Sequence, residues 1–404
     1  MDWYYYIAWA AIFSQPLFLL QMWRNHRYAL AKYKKKRGLF RPRTVLIVPC
    51  KGVDAGFERN IAAFFGQDYE NYLLWFVVAE KSDPAYDRLC RVKDTLAEHS
   101  NAQSVRILVA GQATPGTCSQ KIHNLLHCYR HLPDDIEVMA FADSDICITA
   151  DWLSRLVYPL RRPYYGVSSG YRWFVPRQNN LATLALSAIN AKIAQLLGDT
   201  SFNLAWGGSM AIRVDVFRSV GLDKTWHKAL SDDLSLSGAV KRAKMKVAFV
   251  PACFVASYEQ TTWRQLIEFG RRQFLITRIN APGTWWFGLL SCLFSILGLW
   301  AGAALALYAF VTKDANLLLY SAVPALFFTS QFTRAILRQR TIAKILKKDR
   351  RRMAAARAAD IWLFWLWSWL LLALIVASAF GRTICWRGIR YRLLGPDDTV
   401  VVGP

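Results

Sequence analysis

Between residues 44 and 142, short apolar runs alternate with stretches of helical spacing, and this alternation restricts the possible folds more than any other feature of the chain. Thr44 to Pro49 and Leu73 to Val78 are β-rich runs of strand length, with the helical stretch Phe57 to Gln67 between them. Val105 to Val109 and Val138 to Ala142 repeat the theme, separated by helical patterns at Tyr86 to His99 and Cys118 to His131. Repeated strand–helix–strand units predict an α/β domain, with a mostly parallel, Rossmann-like sheet covered by helices on both faces. Ligands of such sheets bind beyond the carboxyl ends of the strands. Glu80, Asp83 and Asp143 to Asp145 lie just past such ends.

The flanks are of another kind. Trp3 to Trp23, Trp285 to Val311, Leu317 to Phe332 and Ile361 to Phe380 are apolar runs, and a bilayer-spanning helix needs about 20 such residues. Leu317 to Phe332 is short for that, and reads as a tilted hairpin partner, a re-entrant segment or a core helix. The net charge of +23 lies beside these runs: nine basic residues and no acid in Arg24 to Arg43, ten basic residues against Asp349 in Arg334 to Arg357. Smaller excesses occupy Arg264 to Arg278 and Arg382 to Asp398, and the remainder is neutral. That placement indicates membrane anchoring and attraction to anionic lipid, and excludes nucleic acid as the partner because no base-reading module accompanies the charge.

The first positive cluster follows the first apolar run, so residues 1–24 read as an uncleaved anchor with its N-terminus away from the cytosol. A basic juxtamembrane linker (25–43), a cytosolic α/β domain (44–260) and an amphipathic interfacial helix (261–283) follow. Next come apolar helices over 284–381, with a basic linker at 334–357 read as an amphipathic surface helix, and a basic tail over 382–404. Eight scattered cysteines with no Cys-x-x-Cys pair fit a reducing compartment and offer no zinc template.

Asp143-Ser144-Asp145 closes a strand, where a carboxylate pair can hold Mg²⁺ or Mn²⁺ against a diphosphate; otherwise it caps the helical pattern from Trp152. Asp232-Asp233 opens the pattern Leu234 to Ala243, and two adjacent carboxylates exceed what a cap requires. One of them, Asp233 by choice, can serve as general base for an attacking hydroxyl. Gly207 and Gly208, in Trp206 to Met210, permit either a close ligand approach or a tight turn. His123, His127 and His131 recur every four residues with no carboxylate on their face, so a zinc site is not expected, and Lys121 and Asn124 are the better ligand contacts there. Thr262 to Thr277 mixes large apolar residues with Arg264, Arg271 and Arg272, as an interfacial helix would, and those guanidinium groups also suit a phosphate clamp.

Lys51-Gly52-Val53-Asp54, Asp83-Pro84-Ala85, Lys121 to Leu125, Asp143 to Ile146, Ser231 to Leu234 and the basic ending Trp386 to Leu393 stand in an order that resembles membrane-bound family-2 inverting glycosyltransferases. The ceramide glucosyltransferases and their bacterial relatives are the most similar. The resemblance implies a GT-A catalytic domain beside transmembrane helices, a nucleotide-diphosphate sugar donor such as UDP-glucose, and Mg²⁺ or Mn²⁺. It implies transfer of one sugar, with inversion, to a lipid hydroxyl of ceramide type, at the bacterial inner membrane or at the Golgi or ER of a eukaryote. Lys51, Asp54, Glu80 and Asp83 then belong to the donor pocket, Asp145 with Asp143 to the metal, and Asp233 with Asp232 to proton transfer. Arg271, Arg272 and Gln273 occupy the place of the family's closing motif, but Phe274 follows where the family has tryptophan. That departure bears on the acceptor and not on the fold. A processive polysaccharide synthase and a non-enzymatic membrane scaffold with a degenerate transferase fold are the competing readings.

Overall fold

The computed structural model describes residues 2–35, 38–114, 116–386 and 388–403; Lys36 and Arg37 of the basic run and Arg387 of the C-terminal motif lie outside the described residues. Seven strands form one sheet: β1 (Thr44–Pro49), β2 (Tyr72–Val78), β3 (Ser104–Val109), β4 (Val138–Ala142), β5 (Tyr165–Pro176), β6 (Ser209–Arg213) and β7 (Lys246–Glu259). Their order is β3-β2-β1-β4-β6-β5-β7. β1 to β4 run parallel, β6 runs antiparallel to both of its neighbours, and β5 pairs parallel with β7. The helices Phe57–Phe65, Pro84–Leu96 and Gln120–Arg130 make the crossovers. The sheet is therefore mostly parallel, as the alternation predicts.

Side chains on successive strand residues point to opposite faces, and each face of this sheet has its own core. Leu46 and Val48 of β1 join Phe64, Phe76 and Trp152 on one side. Val45 and Ile47 join Ile122, Phe141 and Trp226 on the other. Burial on both faces explains why these strands read as continuous apolar runs. The chain order reverses at β1, which has β2 on one side and β4 on the other, so a crevice opens above their carboxyl ends.

The flanking helices depart from the expected division. One helix, Asp2–Lys34, carries both the anchor and most of the supposed linker. Its basic half is docked on the α/β domain: Asn25 donates to the Gln195 carbonyl at 3.0 Å and the Tyr28 hydroxyl to the Phe249 carbonyl at 2.9 Å. Leu317 to Phe332 is the first part of a longer helix, Leu317–Ile345, which packs along the first one. The basic stretch 334–357 is not one amphipathic surface helix. It completes Leu317–Ile345, turns through a short 3-10 segment, and begins a new helix at Ala354. The reason is a buried ion pair that a surface helix would not form. Arg338 donates to both Asp360 oxygens, at 2.7 and 2.5 Å, Gln339 adds a third bond at 2.7 Å, and the two charged side chains are 4% and 0% exposed.

Among the described residues one helix, Pro282–Val311, is long and apolar enough to cross a membrane. The pair Ala354–Trp362 and Phe364–Ala377, bent by 85°, is a second candidate if it acts as one broken span. The basic C-terminal tail folds into an antiparallel sheet of β8 (Thr383–Trp386), β9 (Ile389–Gly395) and β10 (Asp398–Gly403). Ile384, Tyr391 and Leu393 alternate onto its inner face and pack on Leu230, Leu275 and Ile276.

Removing one member of a buried ion pair leaves the other uncompensated. Asp360→Ala is therefore expected to destabilise the folded chain by about 3–5 kcal/mol, read as a lowered midpoint in denaturant-induced unfolding of the detergent-solubilised protein.

Candidate active site

The loops leaving β1, β2 and β4 bring the sequence-predicted acids to one edge of the sheet. Lys51 and Asp54 follow β1, Glu80 and Asp83 follow β2, and Asp143 and Asp145 follow β4. Asp83 caps the helix Pro84–Leu96, its Oδ1 accepting from the Ala85 amide at 2.9 Å, and the same oxygen accepts from the Gly52 amide at 2.8 Å. One carboxylate thus ties the β1 loop to the β2 loop. Glu80 accepts from the Gln112 side chain in the loop after β3.

Neither Asp-containing pair supplies the N-cap residue of its helix. The helix beginning at Trp152 has Asp151 at its N-cap, and the helix Asp232–Arg242 has Ser231, whose hydroxyl accepts from the Leu234 amide at 3.4 Å. With that end satisfied, Asp232 and Asp233 diverge. Asp233 Oδ2 accepts from the Gly207 amide at 2.9 Å, and Oδ1 accepts from the Leu234 amide at 2.7 Å and from the Ser231 hydroxyl. Asp232 turns inward, its side chain 5% exposed, with Oδ2 at 3.0 Å from Lys121 Nζ.

Lys121 is the centre of the cluster. It lies in the first turn of the helix Gln120–Arg130, whose N-cap is Ser119, and its ammonium donates to Asp143 Oδ1 at 2.8 Å and to the Gly207 carbonyl at 3.4 Å. Burial alone would push this amine down, but the Asp143 and Asp232 carboxylates reverse the shift and hold it above its ordinary value. Asp232 is pushed up to about 6, by burial first, with Lys121 opposing and the Asp233 and Asp143 charges adding.

Gly207 and Gly208 pass between these carboxylates. A Cβ on Gly207 would lie 2.5 Å from Asp232 Oδ2, and one on Gly208 would lie 2.2 Å from the Trp206 ring and 2.7 Å from Asp143 Oδ2. Of the two readings left open for this pair, the turn is visible in the Ser209 amide donating to the Trp206 carbonyl at 3.0 Å, and the lack of side chains is needed by the protein's own acids.

Asp145 faces a polar cavity of about 570 Å³, lined by Asp54 and Asn60 on one wall and by Arg177, Tyr258 and Glu259 on the other. Glu259 is raised above the usual carboxylate range, by burial and then by the Asp145 charge, with Arg172 opposing. A divalent cation at Asp145 would relieve that repulsion, so the residues present fit such an ion. Among the described residues no group of three or more His, Cys, Asp or Glu side chains is disposed to hold a metal. Mg²⁺ is commonly held by one or two carboxylates with substrate phosphates completing its shell.

The remaining predicted residues have other partners. Asn124 is buried and accepts from the Gln120 side chain at 2.8 Å. His123 lies 3.0 Å from the Ala110 carbonyl and His131 2.8 Å from the His127 carbonyl. Arg271, Arg272 and Gln273 lie on the helix Trp263–Asn280. Arg271 donates to the Ala377 and Phe380 carbonyls at 3.2 and 2.9 Å, stabilising the C-terminal end of the helix Phe364–Ala377, and Arg272 reaches the Cys385 carbonyl at 3.5 Å. Gln273 is half-buried, and its carbonyl accepts from Thr277.

Sequence reasoning missed the second half of the site. Arg172 and Arg177 belong to β5 and the loop after it, and Tyr258 and Glu259 end β7. The apolar run from Val247 to Ala256, broken only by Pro251, is the signal that could have shown β7 as a strand.

A mostly parallel α/β sheet with an acidic cluster above its switch point, beside an apolar helical layer, suits a glycosyltransferase, and the family match makes that assignment. The chain belongs to glycosyl transferase family 21, whose family model matches residues 4–397. That membership bears out the resemblance to ceramide glucosyltransferase-type enzymes carried by the motifs. Among solved structures it is similar to the mannosyltransferase PcManGT from Pyrobaculum calidifontis, determined with GDP-mannose and Mn²⁺. The two share 16% identity at a TM-score of 0.48, over 92% of this chain and 96% of the other. No curated protein matches.

Two outcomes are expected. Gly207→Ala should displace Asp232 from Lys121 and lower stability by about 1–3 kcal/mol, measured by thermal unfolding. Because Asp232 is raised to about 6 when folded, the folded chain retains a proton there that the unfolded chain has lost. Its contribution to stability is complete below the unfolded carboxylate value of about 4 and is lost as pH rises through about 6. Asp232→Asn should remove that slope, worth up to about 3 kcal/mol, from metal-free unfolding curves between these limits.

Proposed function

We propose that the protein moves a single sugar, glucose foremost, from a UDP-sugar to the hydroxyl of a membrane lipid of ceramide type, with inversion at the anomeric carbon. The observation that carries this reading is the difference between the two adjacent carboxylates. Asp232 is buried against Lys121, whereas Asp233 is held by two backbone amides and a serine hydroxyl at the edge of the crevice. An inverting transfer needs one carboxylate fixed on the acceptor side, to take the hydroxyl proton as the oxygen attacks opposite the leaving diphosphate. Asp233 Oδ2 has a second lone pair to accept that hydrogen bond.

Lys51, Glu80 and Asp83 line the donor side of the crevice, and Asp145 with Asp143 would hold Mg²⁺ or Mn²⁺ on the diphosphate. The ion supplies charge neutralisation to the leaving group. Lys121 holds Asp143 and Asp232 in position, and Asp232 in turn keeps Lys121 charged. Arg271 supports the C-terminal helices around the lipid entrance. The helix Pro282–Val311 supports residence in a membrane, with the α/β domain on the side of the basic clusters, the cytosol by the positive-inside bias.

The test is release of nucleotide diphosphate by the full chain in lipid nanodiscs, with UDP-glucose, UDP-galactose, UDP-N-acetylglucosamine or GDP-mannose and Mn²⁺, with and without ceramide. Ceramide-dependent release from UDP-glucose, with a product heavier by one hexose, is expected. Release with total lipid extract alone would discard ceramide and keep the enzyme, and a ladder of products would favour the polymerase. Asp233→Asn should lower turnover by about 10²–10⁴-fold while leaving donor binding within a few-fold; unchanged turnover removes Asp233 from the base role.

A further inference from the structure

Two arginines of β5 and the loop after it stand on the side of the polar cavity that faces Asp145. Arg177 lines the cavity itself and is exposed. Its amide donates to the Glu259 carbonyl at 2.7 Å. Arg172 pairs with Val255 of β7, and Pro176 with Glu259, so strand alternation puts Arg172 and Glu259 on one face of the sheet. Glu259 feels both cations: burial and then the Asp145 charge push its carboxyl up, and Arg172 and Arg177 oppose the shift. Both guanidinium groups therefore stand in the field of the carboxylates around that cavity.

Arg172 is half-buried in a cage of rings. Its guanidinium carbon lies 4.8 Å from the Phe174 ring centre, 5.3 Å from that of Phe269 and 5.5 Å from that of Trp206. Trp206 precedes the glycine pair that passes between Asp232 and Asp143, so the cage joins the cavity at Asp145 to the cluster around Lys121. Among the described residues no hydrogen bond or ion pair engages the Arg172 or Arg177 guanidinium, and their N–H donors are not sealed from solvent. A cation–π contact holds a guanidinium by its face and leaves the edge donors for another partner. Two such forks across a cavity of about 570 Å³ from a carboxylate-held divalent ion match a diphosphate, whose charge the ion neutralises only in part. Arg271 and Arg272, in the place of the closing motif, reach main-chain carbonyls of the C-terminal segment instead.

We propose that Arg172 and Arg177 are the protein's clamp on the donor diphosphate, facing Asp145 across the cavity. As the acceptor oxygen bonds to the anomeric carbon and gives its proton to Asp233, the bond from that carbon to the diphosphate oxygen breaks. Its electron pair leaves on the diphosphate, where the two guanidinium groups take up the added charge. This rests on the reading of the chain as a transferase with a nucleotide-diphosphate donor.

The test is calorimetric titration of the full chain in detergent, with Mn²⁺ and with EDTA, using UDP and GDP and then the monophosphate of whichever binds more tightly. Arg177→Gln and Arg172→Met should each weaken diphosphate binding about tenfold and monophosphate binding by less than about threefold. Arg172→Lys, which keeps the charge without the fork, should fall between, and Arg91→Gln, exposed on the helix Pro84–Leu96, should change neither. An unaltered ratio of diphosphate to monophosphate affinity in both variants overturns the clamp. A lowered melting temperature in Arg172→Met with that ratio kept overturns it for Arg172, which then only braces Trp206. If the variants do not fold, phenylglyoxal labelling of the unaltered chain, mapped by mass spectrometry, decides. Protection of both arginines by the diphosphate but not by the nucleoside supports the clamp, and no protection refutes it. Binding of neither UDP nor GDP by the unaltered chain rejects the donor reading itself, whereas binding that survives both substitutions rejects the clamp alone.

Discussion

Lys121 is the group on which the candidate site depends. Three carboxylates, Asp143, Asp232 and Asp233, converge on one crevice from two distant parts of the chain, and like charges at that separation repel strongly in a partly dehydrated setting. One buried ammonium, within 3.0 Å of two of them, makes the convergence tolerable. The glycine pair then lets the β6 entry strand pass between the same acids, and the Gly207 amide becomes one of the donors that orient Asp233. Charge, backbone approach and side-chain orientation are solved together by residues from three elements.

The same logic recurs in the helical layer. Arg338 and Asp360 are paired and sealed where the N-terminal helix and the C-terminal helices meet the back of the sheet. Arg271 and Arg278 reach the carbonyls at the end of Phe364–Ala377 and just after it, so cations of the helix Trp263–Asn280 secure the chain just before it enters the C-terminal sheet. That sheet packs on Leu230, just before the helix that begins with Asp232 and Asp233. The C-terminal residues thereby support the start of the helix Asp232–Arg242, although about 160 residues separate them in sequence.

Much of the fold was legible because burial on both faces leaves a direct trace. The apolar runs at Thr44, Leu73, Val105 and Val138 are strands of a parallel sheet, and the acids just past them stand at its ligand-binding edge. β5 was not legible, since Gly166, Ser168, Ser169 and Gly170 interrupt its apolar pattern, and the walls it shares with β7 went unseen with it. The basic run from Arg334 misled for a physical reason: composition reports how many charges a segment has and not whether a distant carboxylate takes one of them inside.

By itself the sequence determined the strand–helix alternation, the parallel core and the order of the acidic motifs, because these follow from local periodicity and spacing, and that motif order carried the resemblance to the family whose model the chain matches. Tertiary structure alone decided which acid is buried and which is presented, that the glycines serve the protein's own carboxylates, and that Arg271 and Arg338 look inward. Those outcomes depend on partners more than 20 residues away, and a charge acquires its energetic meaning only from the groups that surround it once water is removed.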